Sequence, residues 1–348
     1  MTLRFLALTA VFLFSLFSGS YAQTEATKAR TTVLAFGDVN LGRAVGQELL
    51  KGNIGYPFEF IKDSLAKAEV VFVNLESQLS DQQGETQHPK YNLIFCGPPV
   101  GALSLKQAGV SVVSTANNHA FDYGQRALQE TIQYLDSAGV ASVGTTIDSG
   151  RVSVPVVVEH SGIRVGFLAY TQFMNFPGSW VGHVALYEQR RVEEDIQALR
   201  AKVDFVVVSY HGGGEYIDQP PANVRRDFRA IADAGADVVL GHHPHYVQGI
   251  EQYKNTLLFY SLGNFVFYQP QHEWTQLGLG VELKLVRNDS AVVIEQARLL
   301  AFRAGLQPKF TLSSAEAQSF FQRLKKLSSA HLIQNNGEWF VQGRKNND

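Results

Sequence analysis

Side chains able to bind metal ions or to transfer protons follow five separate apolar, β-branched runs of this sequence, where each run ends. In chain order they are Asp38 and Asn40, then Glu76, then Asn118, His119 and Asp122, then His211 and Glu215, and last His242, His243 and His245. The carboxyl ends of parallel strands line one crevice of an α/β sheet, so we expect these groups to meet there. Imidazole, carboxylate and amide groups together suit divalent ions such as Mn, Fe or Zn.

Each of these residues has a structural interpretation when it is taken alone. Asp38 could cap a turn, and Glu76 could be a carboxylate of a surface loop. His211, followed by three glycines, could be a core histidine ahead of a flexible loop. Three imidazoles between residues 242 and 245 are harder to explain by packing, and all five placements together would require a coincidence. The pattern therefore favours one shared metal site.

The same pattern separates a catalytic histidine from the ligands. A residue that bridges two ions must be a carboxylate, and Glu76 is placed for this role. Two ions about 3.5–4 Å apart can hold both oxygens of a displacement at phosphorus. His119, beside the candidate ligand Asn118, is placed to protonate the leaving group. Asp122 lies three residues on, on the same face of a helix start, where it can orient that imidazole.

The segments that position these groups alternate between strand-like apolar runs and stretches with helical spacing. Buried strands are predicted at five apolar runs: Thr32–Phe36, Val70–Val73, Val110–Ser114, Phe205–Ser209 and Val238–Leu240. Helical spacing separates several of them, as in Leu128, Ile132 and Leu135 ahead of Gly139, Val192, Ile196 and Leu199, and Val224, Phe228 and Ile231 ahead of Gly235. Helix, turn and buried strand in repetition indicate an α/β fold.

The last third of the chain follows a different pattern. The segments Leu279–Val286 and Val292–Leu300 resemble strands with no helix between them, which predicts an antiparallel portion or a second sheet. Ser314–Leu327 is predicted as a terminal amphipathic helix, with Ser313 or Ser314 as its cap.

Composition limits the class of protein. The 348 residues suffice for one large domain or two ordinary ones, and 45% hydrophobic with 18% charged residues excludes a disordered or collagen-like chain. A net charge of -2 argues against nucleic acid as the main partner. The single cysteine, Cys96, excludes an intramolecular disulfide and a cysteine-based zinc cluster, so any metal must be held by histidine, carboxylate and amide groups.

The first 22 residues have the three-part pattern of a secretory signal. Met1–Arg4 carries one positive charge, Phe5–Phe17 is apolar, and Ser20 and Ala22 fit the small-x-small cleavage rule. We therefore expect residues 1–22 to be a cleaved signal peptide and the protein to be periplasmic or secreted. The alternative is a membrane anchor formed by residues 5–17, although this run is short of the roughly 20 residues that span a bilayer.

Six segments of the chain together resemble one known family. They are GDVNLGR at 37–43, VNLES at 73–77, ANNHAFDYG at 116–124, HGGGEY at 211–216, GHHPHYVQGIE at 241–251 and YSLGNFVF at 260–267. In this order they resemble the CapA family of bacterial capsule or poly-γ-glutamate synthesis proteins, within the calcineurin-like metallophosphatase superfamily. The resemblance implies a four-layer α/β/β/α sandwich and a site for two divalent metal ions.

The resemblance also assigns roles by position. It implies a first ion bound by Asp38, Glu76 and His245, a second bound by Glu76, Asn118, His211 and His243, and His119 as the acid. Glu215 is implied as a site residue of undefined role, His242 as a substrate contact or an orienting group, and Asn264 as a site or turn residue. Two positions depart from the pattern: Asn40 replaces the usual histidine and would be a weaker ligand, and Gly212 replaces a tryptophan and would open the pocket wall or loosen the loop.

These observations predict a signal peptide at 1–22, a CapA-like metallophosphatase domain at 31–305 and a C-terminal helical extension at 306–348. The expected function is the synthesis or export of capsule, of poly-γ-glutamate or of another envelope polymer, by a dinuclear metal-dependent hydrolase or transferase. The main alternative is a non-catalytic assembly or export factor with a structural metal site, and a carbohydrate- or peptide-binding module would show no metal dependence. The expected partners are the envelope polymer or its precursor and membrane capsule-synthesis proteins, without nucleic acid.

Overall fold

A computed structural model describes residues 28–148, 150, 152–176, 181–289 and 291–343. The predicted signal peptide lies outside these residues. The helices are α1 (Arg43–Leu50), α2 (Lys62–Leu65), α3 (Gly101–Gln107), α4 (Gly124–Ala138), α5 (Gln189–Arg200), α6 (Ala222–Asp233) and α7 (Ser314–Leu327). Within these residues, no helix has the length and apolar character needed to cross a membrane.

Most of the strands form two large sheets. The strands are β1 (Arg30–Val39), β2 (Val70–Leu75), β3 (Gln78–Leu79), β4 (Cys96–Gly97), β5 (Val112–Ser114), β6 (Ala141–Val143), β7 (Val156–His160), β8 (Ile163–Thr171), β9 (Phe205–His211), β10 (Val238–His242), β11 (Ile250–Tyr253), β12 (Thr256–Phe259), β13 (Asn264–Val266), β14 (Leu277–Asn288), β15 (Ala291–Arg303), β16 (Leu332–Asn335) and β17 (Glu338–Val341). The first sheet has the order β16-β17-β15-β14-β1-β2-β5-β6, with β13 also paired to β1, and the second has the order β11-β12-β10-β9-β8-β7.

In both sheets, the strands that lead into the candidate site residues run parallel to one another. In the first sheet β1, β2, β5 and β6 run parallel, while β14, β15, β17 and β16 continue the sheet antiparallel. In the second sheet β8, β9, β10 and β12 run parallel between two antiparallel edge strands. The predicted strands at 279–286 and 292–300 are therefore an antiparallel pair within the first sheet.

The two sheets pack face to face and are covered by helices on their outer faces. Phe72 of the first sheet stacks on Phe167 of the second, with ring centroids 5.6 Å apart, inside a core that contains side chains of both sheets. Residues of α1, α3 and α4 pack on the outer face of the first sheet, and residues of α5 and α6 pack on that of the second. This arrangement is the expected four-layer α/β/β/α sandwich.

The predicted helices begin and end for the expected reasons. Gly139 follows α4 with a left-handed φ of 71°, which favours glycine as the helix stop. Ser313 caps α7, and Glu316 returns a hydrogen bond to the Ser313 backbone, completing a capping box.

Two expectations need correction. The five strand ends that carry candidate site residues belong to two facing sheets rather than one. Strands β1, β2 and β5 lie in the first sheet, and β9 and β10 lie in the second. The C-terminal segment is not helical throughout, because the hairpin of β16 and β17 follows α7 and pairs with β15 of the first sheet.

Candidate metal centre

The two facing sheets bring the candidate ligands to one buried cluster. Asp38 lies at the end of β1 and Glu76 directly after β2, and both side chains are fully buried. His211 is the last residue of β9, whereas His243 and His245 lie in the turn that follows β10. Both turn histidines have left-handed backbone, with φ of 96° and 58°. Such strained conformations are typical of functional sites.

Two groups of three side chains in this cluster have the spacing of a metal site. In the groups Glu76–His211–His243 and Asp38–Glu76–His245, the ligand atoms lie within 4.8 Å of one another. Glu76 belongs to both groups, which is the geometry expected of a bridging carboxylate. These are the side chains for which the sequence predicted metal binding, and the structure brings them together.

The surroundings of Glu76 fit a cation. Neither Oε1 nor Oε2 accepts a hydrogen bond, although both atoms are buried. Three imidazoles surround Oε1, with the Nε2 atoms of His211 at 3.7 Å, His119 at 3.8 Å and His245 at 4.0 Å. Burial raises the pKa of Glu76 well above its usual range, and the charges of Asp38 and Glu215 add to this effect. A buried carboxylate without a donor is costly unless a cation compensates it.

Asp38, His211 and His243 have the protonation states of ligands. Burial alone would raise the pKa of Asp38, but His242 and His245 hold it well below its usual value. Burial lowers the pKa of His211, with a further contribution from His243. Burial and the neighbouring His245 also lower the pKa of His243, to about 3. Neutral imidazoles and an ionised carboxylate are the forms that bind metal ions.

Asn118 and Asn264 each contact a histidine of the cluster. Asn118 Oδ1 lies 2.7 Å from His211 Nε2. Asn264 Oδ1 lies 2.9 Å from His245 Nδ1, and Asn264 Nδ2 donates to Gln269 Oε1 and to the Thr275 carbonyl. Since these two acceptors fix the amide orientation, His245 carries its proton on Nδ1 and leaves Nε2 free for a ligand. Asn264, expected at the site or in a turn, therefore orients a candidate ligand.

His119 lies beside both groups without belonging to either. Its Nδ1 is 2.6 Å from Asp122 Oδ2, which also accepts a 2.7 Å hydrogen bond from the Phe95 backbone N–H. The Phe95 ring packs on the imidazole with centroids 4.1 Å apart. Burial raises the pKa of Asp122. The predicted orientation of His119 by Asp122 is thus present, and Nε2 is the ring nitrogen that faces Glu76.

Two asparagines of the cluster were missed by sequence reasoning. Asn74 Nδ2 donates to Asp38 Oδ1 at 2.9 Å and lies 3.2 Å from His211 Nδ1, so it links the two sheets at the site. Asn117 donates to the Leu75 carbonyl and accepts from the His119 backbone N–H. The available signal was spacing, because Asn74 precedes Glu76 by two residues and so faces the same side of the strand.

His242 and Glu215 occupy contrasting positions. His242 is fully buried with Nδ1 3.3 Å from Asp38 Oδ1, and neither of its ring nitrogens forms a hydrogen bond. Glu215 is exposed at the edge of the site, where its charge raises the pKa of Glu76.

Comparison with known proteins gives the family. The family model described as Bacterial capsule synthesis protein PGA_cap matches residues 32–269. This chain belongs to that family.

Two relatives with capsule names match over most of this PGA_cap chain. A capsule biosynthesis protein CapA from Bacillus anthracis is 28% identical over 86% of this chain and 74% of its own length. A PGA biosynthesis protein CapA from Bacillus subtilis strain 168 is 30% identical over 69% of this chain, and the match spans 63% of that relative. Among solved structures, the calcineurin-like phosphoesterase YfkN from Bacillus subtilis covers 86% of this chain and 99% of its own, with 14% identity and a TM-score of 0.46.

The structure shows the surroundings of the two positions that depart from the family pattern. Asn40 Oδ1 accepts a hydrogen bond from the Gly42 N–H at 2.8 Å, so the free end of the amide is Nδ2, a donor that cannot bind a cation. Whether Asn40 is a weak ligand stays a prediction, because an amide oxygen that accepts one hydrogen bond keeps a second lone pair. Gly212 does not open the pocket wall, because a Cβ at this position would lie 2.7 Å from Gln172 Cβ. Gln172 also accepts a hydrogen bond from Gly213, which holds the loop.

Proposed function

We propose that this PGA_cap protein is an exported, metal-dependent hydrolase or transferase that acts on an envelope polymer or its precursor during capsule synthesis. The observation that carries this proposal is His119, a buried imidazole oriented by Asp122 beside Glu76 but outside both ligand groups. A purely structural metal site has no need of an oriented histidine beyond its ligands.

The names of the relatives support the capsule part of this proposal. The Bacillus anthracis relative is named for capsule biosynthesis and the Bacillus subtilis relative for PGA biosynthesis. These names agree with an envelope location and with membrane capsule-synthesis proteins as partners. The signal-like pattern of residues 1–22 supports export.

The residues present fit two divalent ions such as Mn, Fe or Zn. Asp38, Glu76 and His245 would hold one ion, while Glu76, Asn118, His211 and His243 would hold the other. Bound ions of this kind supply Lewis acidity and neutralise the charge that develops on a reacting phosphoryl or carbonyl oxygen.

The side chains outside the ligand groups prepare a proton transfer. Asp122 accepts the Nδ1 proton of His119, which leaves Nε2 directed toward Glu76 as the atom that exchanges a proton with substrate. A proton on Nε2 would pass to the leaving oxygen or nitrogen as the bond breaks. Phe95 holds the imidazole from its ring face and anchors Asp122 through its backbone N–H.

A second candidate is an accessory factor whose metal site is structural. It is favoured by Asn40, which supplies a donor where the superfamily usually supplies a histidine ligand. A relative from Mycobacterium tuberculosis, 29% identical over 68% of this chain, is described as a probable polyglutamine synthesis accessory protein.

The test compares metal content and activity in the same samples. The full chain is loaded with Mn, Zn or Fe and assayed on phosphoesters, esters and γ-glutamyl amides. We expect His119→Ala to retain its metal and to lose activity by about 10²–10⁴-fold, the usual contribution of a general acid. His331→Ala, at an exposed histidine of the C-terminal segment, is the control and should behave as wild type. Unchanged turnover in His119→Ala would refute the acid role of His119. Metal binding without turnover of any substrate class would favour the accessory factor.

A further inference from the structure

We propose that Arg43 and Asn40 form an oxyanion site that binds a carboxylate or phosphate group of the substrate beside the candidate metal centre. The inference rests on the proposed function in one respect, because it places this anionic group on the molecule that the metal centre acts on. It is carried by a cavity of about 350 Å³ that both residues line. Phe267, Gln87 and Asn92 line the same cavity.

The Asn40 amide presents a donor without an acceptor. Asn40 is buried and Oδ1 is occupied by the Gly42 N–H, so Nδ2 is the free end, and it has no hydrogen-bond partner. Only glycine fits at position 42, because a Cβ there would lie 2.7 Å from the Cys96 carbonyl oxygen. The orientation of the amide is therefore fixed by the backbone. A buried N–H group without an acceptor is destabilising, and a bound anion would remove that cost.

Arg43 has a cationic side chain that is not paired with a carboxylate in the described part of the chain. Its guanidinium lies over the Phe95 ring, 4.5 Å from the centroid, and donates to the Asn92 carbonyl. In the part of the chain that the structure describes, Arg43 forms no ion pair. Because a guanidinium carries five N–H donors in a planar fork, one carbonyl leaves most of them available. That fork matches a carboxylate or a phosphate with two parallel hydrogen bonds.

Arg43 lies close to His119, and both side chains pack against Phe95. The distances from Arg43 Cζ to the Phe95 centroid and from that centroid to the His119 ring are 4.5 Å and 4.1 Å, so at most 8.6 Å separates Arg43 Cζ from the His119 ring centroid. An extended chain advances about 3.3–3.6 Å per residue. The oxyanion would therefore lie within two to three residue lengths of the bond that reacts.

A purely structural role for Arg43 does not explain these observations together. A cation–π contact with Phe95 would hold the side chain, but it gives no reason for a second donor in the same cavity. Arg43 also has a left-handed φ of 50°, which is uncommon for a non-glycine residue and is often retained for function. Asn40 and Arg43 thus supply an unpartnered N–H donor and a cation with spare donors to one cavity, which fits an anion site.

The direct test is a calorimetric titration of the metal-free full chain with inorganic phosphate and, separately, with glutarate. We expect at least one anion to bind with a Kd of about 1 mM or lower. The two titrations distinguish a phosphate from a carboxylate source. Arg43→Ala should weaken binding at least tenfold, and Arg43→Lys should weaken it less because it keeps the charge but loses the fork.

Asn40→Asp is the sharpest variant. It keeps an oxygen for the Gly42 N–H and replaces the free donor by an anionic oxygen, so anion binding should fall more than tenfold. Arg190→Ala is the matched control, because Arg190 is exposed on α5 and paired with Glu194. Failure of wild type to bind either anion, or wild-type binding in both Arg43→Ala and Asn40→Asp, would overturn the oxyanion site.

Activity separates this inference from the proposed function. In the metal-loaded protein, Arg43→Ala should raise KM at least tenfold for a substrate with a second anionic group and leave KM for its neutral amide analogue unchanged. If wild type shows no metal-dependent turnover but its anion binding depends on Arg43, the proposed function fails and the oxyanion site stands. If turnover is metal-dependent and neither variant affects anion binding, the oxyanion site fails alone.

Discussion

Glu76→Gln should make the metal-free protein more stable and should abolish its response to metal. Without metal, the Glu76 carboxyl is buried with no hydrogen-bond donor, and burial raises its pKa well above the usual value of 4.5. A carboxyl with a pKa higher in the folded than in the unfolded state destabilises the fold at pH values above the unfolded pKa. Glutamine is neutral and nearly isosteric, so it avoids this cost.

The expected difference in the free energy of unfolding follows from the interval between the usual pKa of a glutamate and the pH of the assay. From 4.5 to pH 7 there are 2.5 pH units, each worth about 1.36 kcal/mol, so the cost at pH 7 is at most about 3 kcal/mol. At pH 5 the interval is about half a unit, and the advantage of the glutamine variant should shrink below about 1 kcal/mol. Metal at about 100 times its Kd should stabilise wild type by about 3 kcal/mol. The glutamine variant should gain almost nothing, because Glu76 belongs to both ligand groups.

The assay is urea unfolding followed by circular dichroism, at pH 7 and pH 5, with chelator or with Mn²⁺. Glu251→Gln is a matched control, because Glu251 is also buried but accepts hydrogen bonds from Arg229 and Tyr260. This control should lose about 1–3 kcal/mol and keep the full response to metal. A metal-free Glu76→Gln protein less stable than wild type, or one with an undiminished response to metal, would refute the reasoning.

Three further changes test other parts of the structure. Asn264→Ala removes the acceptor that fixes the His245 tautomer and should weaken metal binding about 10–100-fold in a competition titration, whereas unchanged affinity would show that Asn264 orients nothing. Asp122→Asn should lower kcat about as much as His119→Ala while metal content stays at the wild-type level, and a full loss of metal instead would place Asp122 in the ligand set. Ser313→Ala removes the capping box of α7 and should cost about 1 kcal/mol in urea unfolding, with no change in metal affinity.

Elements with strong periodicity were predictable, but their assignment to sheets was not. The apolar runs that became β1, β2, β5, β9 and β10 were recognised because strands buried on both faces read as continuous hydrophobic segments. The same property makes them indistinguishable, so nothing local shows that β9 and β10 belong to a second sheet. The hairpin after α7 escaped prediction because β16 and β17 are short and half exposed, and the packing against β15 stabilises them.

Residue types revealed the candidate site, whereas hydrogen-bond directions could not be predicted. Histidines and carboxylates at strand ends are conspicuous, and Asp38, Glu76 and His245 do meet in the structure. An asparagine has a donor end and an acceptor end, and only its neighbours decide which one faces the site. Asn40 was therefore interpreted only as a weak ligand, and its unpartnered Nδ2 donor was not predicted.

The unpartnered donor of Asn40 changes how an anionic substrate would be attracted. A net charge of -2 provides no long-range attraction for an anion, so binding must depend on local groups. A histidine at position 40 would be a stronger ligand for a first metal, whereas the asparagine supplies an N–H donor in the cavity that Arg43 also lines. The chain would thus weaken one contact to the cation and gain one to the substrate. Because that contact lies in a cavity rather than on the open surface, its contribution should depend only weakly on ionic strength.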